Sequence, residues 1–337
     1  MDFLSSFPGQ YIVQSVSYSL VTVLTVHLLL KIWRITEPRL RFQFYLLALL
    51  LPVVLPPLFY LAYPQRSGLY FREHTALIDL NQWFNLRVWH QVTLWHLASV
   101  LLALTTGLFL VQESIPWIRR RSLHRSLKAL SPDTLPALNM TIGDVSRLMG
   151  RSVPQVMSSP EAGPAIYTVG TARPVIAISP DLLDTAEPEE LKAMLCHEVA
   201  HLVRRDHWTG WALVLLRSLA FYNPVAWFIS RLLWQENEKA CDDIAASRIG
   251  DSRPLASSLT KAATPAEGPE LDSGPSPRWH RWAWERADSL ERRASRAQIE
   301  ERAGRLLRPE RNNDGAWGTA RLWTTTALLA TLLFFVV

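Results

Sequence analysis

The string His197-Glu198-Val199-Ala200-His201 sets two imidazoles four residues apart with a carboxylate between them. On a helix that spacing stacks both rings on one face, a turn apart, where they can bind a single metal ion. Glu198 then stands beside a water activated by the ion, where peptide hydrolysis needs a general base. With nine histidines in 337 residues such a string arises by chance in roughly one chain in a hundred, so its surroundings must carry the rest.

Those surroundings predict a helix. Pro188-Glu189-Glu190 opens it behind a cap at Thr185 or Asp184, acidic residues suit its positive end, and Arg204-Arg205 close it. Leu191, Met194, Cys196, Val199, Ala200, Leu202 and Val203 make it mostly apolar, as a buried catalytic helix would be. The bland alternative is an ordinary core helix with two satisfied histidines. A catalytic zinc ion normally takes three protein ligands, so a third must come from elsewhere. The run Glu236-Asn237-Glu238-Lys239-Ala240-Cys241-Asp242-Asp243 offers it, and its apolar neighbours Trp234, Ile244 and Ala245 argue against a merely solvated acidic face. Glu238 and Asp242 share a helix face, one to ligate and one to accept from a ligand imidazole N–H. That orienting role falls to Asp242, with Asp206 a second candidate for it.

Four stretches together carry a resemblance. They are Pro174-Val175-Ile176-Ala177-Ile178-Ser179, HEVAH with Arg204-Arg205-Asp206, Asn223-Pro224, and Glu238-x-x-Cys241-Asp242. Over roughly residues 120–310 they resemble the BlaR/MecR family of membrane-embedded zinc peptidases. The resemblance implies a small gluzincin domain in which Zn2+ is held by His197, His201 and Glu238, the last in preference to Glu236, with Glu198 as the catalytic base. The HtpX and CAAX prenyl protease group shares HExxH and a later Glu-x-x-x-Asp but typically has Ala where Cys241 stands, which favours BlaR/MecR. The run Ile299-Glu300-Glu301-Arg302-Ala303-Gly304-Arg305-Leu306-Leu307 resembles the helix before that family's last span. BlaR/MecR antibiotic receptors continue into an extracellular penicillin-binding domain with a Ser-x-x-Lys nucleophile, and this chain is expected to lack it. Ser258-Leu259-Thr260-Lys261 lies in a linker without the companion motifs and reads as coincidence. A signal is then expected through the membrane segments, the 64–91 loop or a separate sensor partner.

The elements that must position this site read as a multi-pass α-helical membrane protein with a cytoplasmic α+β gluzincin domain. The chain is 49% hydrophobic with a mean hydropathy of +0.06, yet its middle is polar. Residues 1–118 form a transmembrane module with spans near 12–32, 42–63 and 92–112. Residues 119–250 form the protease domain. Within it, 208–234 is broken by Asn223-Pro224 into two reentrant or interfacial helices, since a span there would part HEVAH from Glu238 across the bilayer. Residues 251–278 read as a flexible proline-rich linker, 279–318 as a charged juxtamembrane helix, and 319–337 as a last span.

Basic residues set the orientation. Lys31, Arg34, Arg39 and Arg41 lie between the first two spans, and Arg119, Arg120, Arg121, Arg125 and Lys128 follow the third. The positive-inside bias places the N-terminus outside and the protease domain in the cytoplasm of a bacterial inner membrane. No cleavable signal peptide is expected, because a basic n-region is missing. The net charge of +5 belongs to juxtamembrane clusters that meet anionic lipid, so no direct nucleic-acid partner is expected. Cys196 and Cys241 read as two small buried residues beside the site rather than a disulfide.

Strands are predicted at 165–169 and 174–178, joined through Gly170, with an edge to which an extended substrate can add. A helix over 144–149 ends at Gly150. The expected activity is a zinc metalloendopeptidase acting on a cytoplasmic or membrane-proximal polypeptide, such as a transcriptional repressor or the chain's own linker. Membrane quality control of the HtpX type and a non-enzymatic receptor are the alternatives. Tyr222 and His207 are weak candidates for a second electrophile.

Overall fold

The computed structural model describes residues 7–78, 86–107 except 91, 95 and 98, 127–130, 135–159, 165–170, 173–263, 296–308 and 315–336. The chain folds into two compact units. One comprises Met1–Arg119, Trp208–Asn237 and Arg311–Val337, and the other Arg120–His207 and Glu238–Glu310.

The first unit is built on helices α1 (Phe7–Ile32) and α2 (Pro38–Ala62), which pack along each other. Helix α2 carries three interior prolines, Pro52, Pro56 and Pro57. Each removes a backbone donor and orphans the carbonyl four residues earlier. Two of those carbonyls find donors on α1: Thr22 Oγ1 donates to Ala48 O at 3.2 Å, and Tyr11 OH to Val53 O at 3.4 Å. A proline-bearing apolar helix needs such side-chain partners where no water is at hand. After α2 come a short helix, α3 (Leu69–His74), and a small hairpin of β1 (Arg87–Trp89) and β2 (Val92–Thr93).

Two helices among the described residues, Gly9–Ile32 and Pro38–Ala62, are long and apolar enough to cross a membrane. The third expected span, 92–112, does not begin where the sequence placed it. Val92 and Thr93 lie in the hairpin, helix occupies the described residues from 94 to 107, and 108–112 fall outside them.

The 208–234 segment divides as its Asn-Pro pair predicts, into α7 (Asp206–Leu219) and α8 (Pro224–Ile249). Asn223 caps α8: its Oδ1 accepts from the Val225 and Ala226 amides at 3.0 and 3.3 Å, with Pro224 at the first helical position. The Asn223 Nδ2 donates to Ser19 Oγ at 2.8 Å, and Tyr222 OH meets Ser15 Oγ at 2.6 Å, which ties the break to α1. Trp208, Trp211, Leu215, Leu219 and Phe228 are exposed along these helices. The last helix, α10 (Gly315–Phe334), starts four residues before the expected 319. Buried Arg66 closes its C-terminal end by donating to Phe334 O at 2.7 Å and Leu333 O at 3.0 Å.

In the second unit α4 (Leu135–Met149) ends at Gly150, whose positive φ of 63° forms a left-handed cap. A three-stranded sheet follows, of β3 (Val156–Ser158), β4 (Ile166–Val169) and β5 (Val175–Ile178), in the order β3-β5-β4. Strand β5 runs parallel to β3 and antiparallel to β4. Ile176, Ala177 and Ile178 are fully buried, which explains an unbroken apolar run in place of alternation. Helices α5 (Pro180–Thr185) and α6 (Pro188–Val203) complete the approach to HEVAH.

Two boundaries differ from expectation. The linker does not begin at 251, because Arg253–Ala263 forms helix α9 with Leu255, Ala256 and Ser258 buried. Its Lys261 donates to Glu190 Oε2 on α6 at 2.7 Å and its Ser258 donates to Leu255 O within α9 at 2.8 Å, so both ends of the Ser-x-x-Lys string are engaged in packing. Residues 264–278 of the expected linker lie outside the described residues. Of the predicted juxtamembrane helix, 296–306 is helical and buries Ala303 and Leu306 in this unit's core, while 279–295 lie outside the described residues.

The orphaned carbonyls yield a direct test. Thr22→Val should cost about 1 kcal/mol in detergent unfolding, the net worth of one buried hydrogen bond. In a Pro52→Ala background, where the residue-52 amide reclaims Ala48 O, the same change should cost clearly less. Equal costs in both backgrounds would contradict this role.

Candidate metal centre

Helix α6 exists because of a cap that the sequence did not advertise. Thr185 and Asp184 are not its cap, since both belong to the preceding helix α5. Glu187 fills that position in a reciprocal capping box, in which its backbone N–H donates to Glu190 Oε2 at 3.1 Å and its own carboxylate accepts from the Glu190 amide. Pro188 then starts the helix, and Leu195, Cys196, Val199 and Ala200 bury its apolar side completely.

His197 and His201 lie one turn apart on the remaining face, with their Nε2 atoms 3.2 Å from each other. Glu238 on α8 closes the triangle. Its Oε2 lies 3.5 Å from His197 Nε2, and its Oε1 lies 3.5 Å from His201 Nε2. Ligands about 2.0–2.1 Å from a tetrahedral ion stand about 3.3–3.4 Å apart, and the spacings from the two rings to the two oxygens of this carboxylate are close to that. Glu236 takes no part: it is buried in the first unit with its Oε1 3.0 Å from Arg41 Nε.

Each imidazole has its own carboxylate behind it. Asp206 Oδ2 lies 2.8 Å from His201 Nδ1. Asp242 Oδ1 lies 3.0 Å from His197 Nδ1, at an angle short of a well-aligned hydrogen bond. Thus Asp242 and Asp206 are not alternatives but serve different rings. Arg205, left-handed at φ 58°, sits in the turn between α6 and α7 just before Asp206. Glu198 is buried, and its Oε2 accepts a 2.6 Å hydrogen bond from Thr168 Oγ1 on the outer strand β4.

The charges are strongly coupled. Burial by itself would lower the His197 imidazolium, but contacts with Asp242 and Glu238 outweigh it and lift its pKa to about 10. Burial would raise Glu238, and His197 and Arg302 pull it down to about 2. Asp242 is held well below the usual carboxylate range against its own burial by Arg302 and His197. The carboxylates of Glu198, Asp206, Glu238 and Asp242 face two guanidiniums, Arg204 on Asp206 and Arg302 on Asp242 and Glu238. With both imidazoles neutral, as metal ligands are, two negative charges remain for a divalent cation to offset. The donor set and the charge both fit such an ion.

A second group of donors, His201, Asp206 and Cys241, also lies within 4.8 Å. It fits a cation less well. The Cys241 thiol donates to Asp206 Oδ2 at 3.2 Å, and burial together with that carboxylate holds it far above the ordinary thiol range. Cys196 is buried too, and neither cysteine is in a disulfide. The candidate electrophile Tyr222 is not in this unit, and its hydroxyl is engaged by Ser15. The His207 side chain lies outside the described residues.

Two residues of the centre escaped the sequence reading. Thr168 falls inside a strand predicted only as a strand. Arg302 reaches the site from 60 residues beyond Asp242, with no local pattern to announce it.

Comparison with known proteins bears on the same residues. The profile of the BlaR1 peptidase M56 family matches residues 19–267. Regulatory protein BlaR1 of Bacillus licheniformis is 33% identical over 75 residues, covering 22% of this chain and 12% of that protein. A protease HtpX homolog of Persephonella marina is 27% identical over 99 residues, covering 27% of this chain and 34% of its own length. Another, from Thermoplasma acidophilum, is 30% identical over 134 residues, covering 37% of this chain and 42% of that one. The chain thus spans less than half the length of each of these relatives. The profile match, by contrast, runs over well more than half of the chain, which therefore belongs to the M56 peptidase family, a family of membrane proteases.

Proposed function

We propose that this chain is a membrane-embedded zinc metalloendopeptidase in which His197, His201 and Glu238 hold the ion and Glu198 is the general base. The observation that carries the reading is the triangle of two imidazole nitrogens and one carboxylate with edges of 3.2–3.5 Å. Asp206 accepts from His201 Nδ1 and Asp242 stands 3.0 Å behind His197 Nδ1, which holds both rings with Nε2 toward Glu238 and raises their basicity. When bound, zinc supplies the Lewis acidity that polarises the scissile carbonyl and acidifies the attacking water. Glu198 takes that water's proton and delivers it to the leaving amine. The hydroxyl of Thr168 holds one Glu198 oxygen in place and leaves the other for the proton.

Strand β4 lies at the outer position of its sheet and carries Thr168. A polypeptide added along that edge would present its backbone next to Glu198, which favours extended segments of protein over small molecules. Substrates are cytoplasmic or membrane-proximal chains: a transcriptional repressor, or the chain's own segment between α9 and residue 296. A signalling role of the BlaR/MecR type is favoured by Cys241-Asp242 after Glu238. Quality control of the HtpX type is supported by matches to HtpX proteins over longer segments than the match to BlaR1. The positive-inside bias of the basic clusters favours an N-terminus outside and the peptidase unit in the cytoplasm of a bacterial inner membrane. The exposed tryptophans of α7 suit an interfacial position in lipid. A separate sensor protein would deliver the signal.

Glu198→Gln should leave stoichiometric zinc in the purified protein and slow cleavage of a labelled polypeptide about 10²–10⁴-fold. Undiminished proteolysis would remove Glu198 from its role, and a cellular output untouched by the variant would favour the receptor reading. Shortening of the wild-type chain on a gel, absent in Glu198→Gln, would assign self-cleavage; an unchanged length would remove it.

Metal and proton compete for His197. Its raised pKa means the folded, chelated protein holds a proton more tightly than the unfolded chain. The resulting stabilisation is full below about pH 6.5 and is lost as pH rises toward about 10. The melting temperature of chelated protein should therefore fall over that interval, while zinc-loaded protein should lose much less. Parallel pH profiles with and without zinc would contradict the ligand role of His197.

A further inference from the structure

Residues 296–306 form a helix laid against the second half of α8, and Arg302 points from it into the metal centre. Its Nε donates to Asp242 Oδ2 at 2.8 Å and one terminal nitrogen donates to Asp242 Oδ1 at 2.8 Å, a two-pronged pairing. The other terminal nitrogen lies 3.0 Å from Glu238 Oε2. One guanidinium therefore grips both carboxylates that α8 contributes, the one that closes the donor triangle and the one behind His197. The Asp242 side chain is fully buried and that of Arg302 is 15% exposed, so the Asp242 contact is shielded from solvent, while Glu238 is partly exposed. Two carboxylates one turn apart on one helix face, Asp242 buried and Glu238 partly exposed, repel each other, and each has free rotamers. A rigid planar fork spanning both removes the repulsion and fixes both rotamers, which a flexible point charge would do less well.

We infer that Arg302 is the positioning residue of the metal centre, holding Glu238 and Asp242 in the geometry that accepts the ion. The inference rests on the metalloendopeptidase reading and adds to it that the site is completed from beyond the stretch between α9 and residue 296. Arg305 supplies an internal control. It docks the same helix on α8, through Asp243 at 3.0 Å and Lys239 O at 2.7 Å, and among the described residues these partners lie outside the centre.

The test uses the purified full chain in detergent, with zinc affinity measured by competition against a chromophoric chelator and with the visible spectrum of the cobalt-substituted protein. Arg302→Gln should weaken zinc binding about 10–100-fold, the usual effect of losing a partner behind a ligand. It should also change the cobalt ligand-field bands. Arg302→Lys should recover part of the affinity, and Arg305→Gln should leave both affinity and bands as in the parent. If the parent binds zinc stoichiometrically and Arg302→Gln binds it as tightly with an unchanged spectrum, the positioning role is overturned while the metal reading stands. Equal loss in Arg305→Gln and Arg302→Gln would assign the effect to helix docking and overturn it likewise. A parent without stoichiometric zinc would overturn the metal reading itself and the role of Arg302 with it.

Discussion

Two imidazole Nε2 atoms 3.2 Å apart cannot both turn lone pairs at each other unless a proton or a metal ion lies between them. That constraint organises the second unit. His197 and His201 turn Nε2 toward Glu238 because Asp242 and Asp206 occupy their Nδ1 sides, and the carboxylates are tolerated in a buried place because Arg302 and Arg204 pair with them. Removing one partner would strand a charge away from water, so the network holds together or fails as a group. Helix α6, through its Glu187 cap, sets the spacing of the rings, and α8 brings Glu238 and Asp242 to the same place on one face.

The proposed activity also needs a place for substrate, and the sheet offers a strand edge beside Glu198. Strand β5 is buried in the centre, β3 and β4 are the outer strands, and Thr168 on β4 is bonded to Glu198. Glu198 and the strand edge are thus parts of one hydrogen-bonded structure. In the first unit the problem is different: apolar helices containing prolines must satisfy their own backbones. Thr22, Tyr11, Asn223 and Arg66 do this with side chains that reach specific carbonyls or amides.

Legibility in the sequence followed the range of each interaction. The HEVAH pair and the Glu238–Asp242 pair were visible because both depend on the period of one helix. The Asn223-Pro224 break was visible because capping chemistry is local. The true cap of α6 was not, since glutamate seldom caps and the favoured Thr185 and Asp184 had been taken up by α5. Helix α9 was hidden inside a proline- and serine-rich stretch whose few apolar residues, Leu255 and Ala256, suffice only because α6 offers them a partner. Strand β3, three residues long with Ser158 at its end, has too little pattern to stand out. Arg302 looked like one charge among many on a polar helix. Its meaning comes wholly from a contact across a long stretch of chain, and no local spacing encodes that.

Convergence of three side chains on one ion is the claim beneath all of this, and X-ray absorption at the zinc edge of the purified full chain tests it most directly. The predicted result is one zinc per chain with only nitrogen and oxygen neighbours at about 2.0–2.2 Å, two of them imidazoles, and one light ligand fewer in Glu238→Ala. A sulfur neighbour at about 2.3 Å, placing the ion on Cys241 instead, or an unchanged ligand shell without Glu238, would contradict it.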